Sequence, residues 1–194
     1  MGTPTQMMYT QKQGGNLVET TERIVEAYVT YVKGWFTIPN IKCQGQFEVD
    51  LLAVDAGLGN GIGRYHIESG VSISGAYSRL TNKPFSKEAL KERVKQAGQR
   101  RTLGYFTERK FGAPQVVQKL KEYGFTPGNY SKVIVSWGWD ANVPSTAQEM
   151  GVKLWDFQDI LRQIVKMARV GRTYFTDDTM RTLQLIAKAT EQER

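Results

Sequence analysis

Two alternating runs flank a glycine-rich segment, and together they leave this chain little freedom in how it folds. Phe47 to Asp55 and Arg64 to Ile73 both repeat with period two, the spacing of strands with two unlike faces. Between them, Ala56-Gly57-Leu58-Gly59-Asn60-Gly61-Ile62-Gly63 supplies the turn of a hairpin. A turn symmetric about Gly59 sets Asp50 directly across from Glu68. Residues of one parity (Phe47, Val49, Leu51, Ala53, Ile67, Val71, Ile73) make an apolar face. The other parity (Gln46, Glu48, Asp50, His66, Glu68, Ser72) makes a polar one. Opposed Cβ atoms lie about 4.5–5.5 Å apart, so two carboxylates placed there repel. A divalent cation is the simplest agent to hold them together.

The rest of the chain supplies a frame for this hairpin. Asn16 caps a helix expected from Leu17 to Lys33 and ended by Gly34, with Val18, Val25, Val29 and Val32 as its apolar stripe. Glu22 falls at the edge of that stripe, an unusual place for a carboxylate. Trp35 to Ile38 reads as a first strand. Ser86 caps a helix expected from Lys87 to Leu103, whose face is basic. A further helix runs from Pro114 to Tyr123. Lys132–Trp139 and Val152–Trp155 read as strands, and Asp156 caps the helix that follows. A last helix is expected from Asp177 to Arg194. The order, a helix, a three-stranded meander, helices, then two strands and a helix, predicts an α/β fold with a mixed central sheet flanked by helices. Residues 1–15 read as a flexible N-terminus, 16–166 as the domain and 167–194 as a C-terminal helical extension.

Composition narrows the function classes. Of 194 residues, 40% are hydrophobic and 23% charged, a globular balance. No run approaches the roughly 20 apolar residues of a membrane span. One cysteine, Cys43, fits a reducing cytoplasm, and with a single histidine it makes a structural zinc site untenable. A metal here is therefore a hard cation held by oxygen, Mg²⁺ or Mn²⁺. The net charge of +7 favours a polyanionic partner. The four turn glycines form no phosphate loop, because no Gly-Lys-Ser/Thr follows and the next element is a strand.

Glu22 on the first helix, Glu-Val-Asp-Leu-Leu-Ala with Asp50, and the next strand with Glu68 resemble the PD-(D/E)xK nuclease superfamily, whose core is the restriction-endonuclease-like fold. The resemblance spans residues 16–166 and rests on short motifs. It implies a metal-dependent hydrolysis of phosphodiester bonds, in DNA ahead of RNA, with Asp50 and Glu68 as metal ligands and Glu22 completing the shell. The family's third motif places a lysine two residues after its acid, and here that residue is Gly70. The resemblance then implies a lysine from elsewhere (Lys87, Lys91 or Lys95, with Lys95 the principal candidate) or His66 on the same strand face. Arg64, Arg79, Lys87, Lys91, Arg100 and Arg101 are the candidate phosphate contacts. A homodimer would suit cutting both strands of a duplex. The alternative is an inactive nucleic-acid-binding or assembly module on the same fold, with Gly70 marking lost chemistry. Each of these residues also has a plainer reading: Asp50 and Glu68 as solvated strand residues, Glu22 as a side chain reaching to water, Glu48 as a surface or loop-anchoring residue, and His66 as a hydrogen-bonded structural residue.

Overall fold

A computed structural model of the protein describes residues 20–57, 61–71, 79–170 and 175–190. The segment expected to be flexible at 1–15, the Asn16 cap, the turn centre at Gly59 and the strand end at Ser72–Ile73 lie outside the described residues. Five strands, β1 (Phe36–Lys42), β2 (Glu48–Asp55), β3 (Gly63–Ser69), β4 (Ser131–Ser136) and β5 (Val152–Asp156), form one mixed sheet in the order β1-β2-β3-β4-β5. The first three are an antiparallel meander, and β4 and β5 add in parallel. Parallel addition needs crossovers. The first runs through α2 (Lys87–Lys91), α3 (Arg93–Gln99), α4 (Leu103–Tyr105) and α5 (Pro114–Glu122), and the second through α6 (Val143–Glu149). The α/β class and the mixed sheet match the expectation from sequence.

The hairpin register follows from the turn. Leu51 pairs with Ile67, Leu52 with His66 and Asp55 with Gly63, all symmetric about position 59, so the same register carries Asp50 to Glu68. The polar parity, however, does not face water. Crossovers cover both faces of the sheet, so side chains of either parity are buried: Asp50 is 7% exposed, and His66 and Glu68 are 0%.

On one face, Leu51, Ala53, Ile67, Val133 and Val135 pack beneath α1 (Thr20–Ala27), α7 (Phe157–Val170) and α8 (Asp178–Ala189), which contribute Val25, Ile160, Ile164 and Met180. The segment set apart as an extension at 167–194 thus joins this core through Phe175 and Met180. On the other face, Ile134 meets Leu103, Phe106 and Phe111, while Leu52 meets Val116 and Leu120.

Three helices depart from the expected outlines. The first continues past Ala27 as a π turn, Tyr28–Val32, and the chain then reverses at Gly34, whose φ of +72° suits glycine. The basic helix expected from Lys87 to Leu103 is broken at Glu92, which is extended, and neither piece buries a residue. Val94 is 95% exposed, so no apolar face held that segment to the sheet as one rod. Beyond it, α4 runs into a second π turn, Phe106–Phe111, a helical stretch that the sequence reading did not contain.

Candidate active site

Asp50 on β2 and Glu68 on β3 are brought together by a third residue, Lys110, which sits on that second π turn. Local sequence explains why the helix lies there. The Thr102 hydroxyl accepts from the Tyr105 amide at 3.1 Å and starts α4, while Leu103, Phe106 and Phe111 anchor it in the core. The wider π turn carries Lys110 across the start of β2. Its ammonium donates to Asp50 Oδ1 at 2.8 Å, lies 2.5 Å from Glu68 Oε2, and reaches the Glu48 carbonyl at 3.4 Å.

The electrostatics are those of two buried carboxylates around one cation. Burial pushes Asp50 upward, the charge of Glu68 adds to this, and Lys110 and the Ser69 amide act against both, leaving its pKa at about 7. Burial also raises Glu68, with Lys110 opposing it. Burial pulls the Lys110 ammonium down, but Glu68 and Asp50 outweigh it and hold the lysine well above its ordinary range, so it stays charged. One ammonium does not neutralise two carboxylates, and the remaining negative charge is satisfied by a proton or by a second cation.

His66 stands behind Glu68. Its Nε2 lies 2.6 Å from Glu68 Oε1, its ring meets Phe111 edge-on at 4.8 Å, and Nδ1 has no hydrogen-bond partner. Burial lowers its pKa to about 3, so the ring is neutral and Nε2–H donates to Glu68. This corrects the expectation of His66 as a substitute for the lysine. A fully buried imidazole does not meet a substrate; it fixes a carboxylate.

Glu22 from α1 and Glu48 from β2 offer carboxylate oxygens that lie, with one from Asp50, within 4.8 Å of one another. This trio can hold a metal ion. Asp50 belongs both to this trio and to the expected pair with Glu68, whose oxygens are engaged by His66 and Lys110. Glu48 also forms an ion pair with Lys42 at the surface.

The basic residues separate. Arg100 and Arg101 line the same pocket as Glu22, Asp50 and Lys110. The others do not. Lys95, the principal candidate for the displaced lysine, pairs with Glu92 at 2.8 Å on the outer surface, and Lys87 lies 3.8 Å from Glu108. Lys91 is exposed at the end of α2, Arg79 donates to the Trp139 carbonyl, and Arg64 lines a separate groove with Tyr65 and Tyr130.

Gly70 explains why the lysine is elsewhere. Its amide donates to the Val135 carbonyl at 2.8 Å, and a Cβ there would lie 2.9 Å from Phe106 Cζ and 3.4 Å from the Val135 oxygen. The helix that brings in Lys110 therefore excludes a side chain at position 70. The signal for Lys110 was present in Leu103, Phe106 and Phe111, an apolar helical spacing with Thr102 as cap, but the expected basic helix ends at Leu103 and no element is assigned from there to Pro114.

No protein-family model and no curated protein matches the chain. A crystal structure of a protein of unknown function, AF1548, is similar over 91% of this chain and 100% of that one, with a TM-score of 0.46 and 15% identity.

Two outcomes follow from this geometry. The folded Asp50 holds a proton at pH values where the unfolded one, near 3.8, has lost it, so its contribution to stability falls as pH rises toward and through about 7. His66 works in the opposite sense between about 3 and 6.5, because only the unfolded ring takes up a proton there. Above pH 6.5 the His66 effect is spent, and the raised Asp50 and Glu68 act in the same direction. Metal-free protein should therefore melt at a lower temperature at pH 8 than at pH 6.5, and Asp50→Asn should reduce that difference in a thermal scan. Gly70→Ala should lose roughly 1–3 kcal/mol in urea unfolding, the usual range for overpacking a core, and Phe106→Leu in the same chain should recover part of it.

Proposed function

We propose that the protein is a metal-dependent nuclease that hydrolyses phosphodiester bonds, DNA ahead of RNA, on a restriction-endonuclease-like core. The observation that carries this reading is the contact of the Lys110 ammonium with both Asp50 and Glu68, beside the carboxylates of Glu22 and Glu48. An acid from each strand of the hairpin and a lysine between them are the groups the sequence resemblance called for, with the lysine delivered by a helix instead of position 70. The order of strands, with the antiparallel meander first and two parallel strands after it, supports the same core. Loss of chemistry at Gly70, the ground for an inactive module, loses its force once Lys110 stands in the site.

A Mg²⁺ or Mn²⁺ ion held by Glu22, Glu48 and Asp50 would supply charge neutralisation at the phosphate and an acidified water. The chain's own groups do the remaining work. Lys110, kept protonated by its two carboxylates, acts as a fixed positive charge where the phosphate gains negative charge, and not as a base. His66 holds Glu68 so that its other oxygen faces Lys110. Arg100 and Arg101 face the acids across the pocket and contact phosphate oxygens without reading bases.

Plasmid and single-stranded DNA incubated with Mg²⁺ or Mn²⁺ provide the test. Wild-type protein should cut in a metal-dependent way, and Asp50→Ala and Lys110→Met should each lower the rate at least a hundredfold. Cutting that survives either substitution, or that ignores chelation of the metal, would contradict the assignment.

A further inference from the structure

The shape and charge of the pocket narrow the substrate further, on the premise of the nuclease reading. The pocket encloses about 320 Å³. That is near the bottom of the range for sites that take a small molecule, about 300–1,000 Å³, and suits a single small group better than an extended one. Its lining mixes acidic and basic groups: Glu22, Asp50 and Lys110 share it with Arg100, Arg101 and Tyr105 from the segment between α3 and α4.

Among the described residues, neither Arg100 nor Arg101 has an ion-pair or hydrogen-bond partner for its guanidinium, unlike Lys87 and Lys95, which are paired on the outer surface. Arg64 lies in another groove, so the candidate phosphate contacts do not form a continuous stripe. A protein that tracks a duplex needs cations spread along two backbones. Here two unpaired arginines converge on a single cavity.

Tyr105 adds an aromatic face. It is partly buried at the pocket wall and held edge-on by Phe85, at 5.8 Å, and Phe106, at 5.6 Å, so its ring is fixed before any ligand arrives. Aromatic rings beside cations are how proteins grip unpaired bases, because every base has a face to stack.

We infer that the pocket takes one unpaired nucleotide of a single-stranded nucleic acid. Its phosphate lies between the acids and the two arginines, and its base stacks on Tyr105. Duplex enters only where an end or junction frees a nucleotide.

The test is fluorescence anisotropy with a 12-nucleotide single-stranded DNA and the blunt duplex of the same sequence, in Ca²⁺ so that affinity is read without turnover. Single strand should bind at least tenfold more tightly than duplex. Tyr105→Ala should weaken single-strand binding about tenfold while leaving duplex binding unchanged, and Tyr105→Leu, which keeps apolar bulk in the fold, should do the same. Arg101→Ala should weaken single-strand binding and flatten its salt dependence by roughly 0.7 of a log unit per log unit of salt. Duplex bound as tightly as single strand, single-strand affinity unmoved in both Tyr105 variants, or no binding to either DNA would each overturn the inference. Metal-dependent cutting is scored separately, so a nuclease that prefers duplex would refute this pocket assignment and leave the nuclease reading standing.

Discussion

The whole of this site depends on one ammonium group. Asp50 and Glu68 are fixed opposite each other by the register of a hairpin, and both are buried by the helices that cover the sheet. Two carboxylates so placed are unstable as a charged pair without a cation. Lys110 is the cation the chain provides, and removing one partner from such a buried set typically costs about 3–5 kcal/mol. The path of the chain between β3 and β4 is shaped accordingly. The Thr102 cap, the Phe106 and Phe111 anchors and the π turn are what place a lysine over the start of β2, and the bare Cα of Gly70 makes the space.

That arrangement is compensated only in part. His66 is neutral and supplies a hydrogen bond but no charge, and Lys110 is shared between two acids. The outcome is an Asp50 that titrates at about 7 and an adjoining trio of carboxylates that can hold a metal ion. A site that is short of positive charge while holding its lysine firmly can take a divalent cation. Two arginines, Arg100 and Arg101, line the same pocket.

Much of the frame was legible in the sequence. Period-two alternation around a glycine turn fixed the hairpin and its register, and with them the opposition of Asp50 and Glu68. The apolar runs at β4 and β5, the cap at Ser86 and the last helix after Asp177 also appear where expected. What alternation does not reveal is which face meets water. His66 and Glu68 look like residues of a polar surface until the crossover helices are laid over them. Lys110 escaped for a related reason. No element is expected between Leu103 and Pro114, and only the placement of that helical stretch against β2 and β3 turns its lysine inward. Glu48 was read as a surface residue because its grouping with Glu22 depends on where α1 crosses the sheet. Conversely, the basic face expected over 87–103 had charge but too little apolar residue to hold one helix, and only its end reaches the pocket.

The most direct measurement is a crystal structure of the wild-type protein soaked in Mn²⁺, with the metal located by its anomalous scattering. A peak bound by Asp50 with Glu22 and Glu48 is expected, while the Lys110 ammonium remains on Glu68 and the His66 ring keeps its contact with that carboxylate. Absence of a peak at saturating Mn²⁺, or a Lys110 side chain turned out to solvent with Asp50 and Glu68 apart, would contradict it.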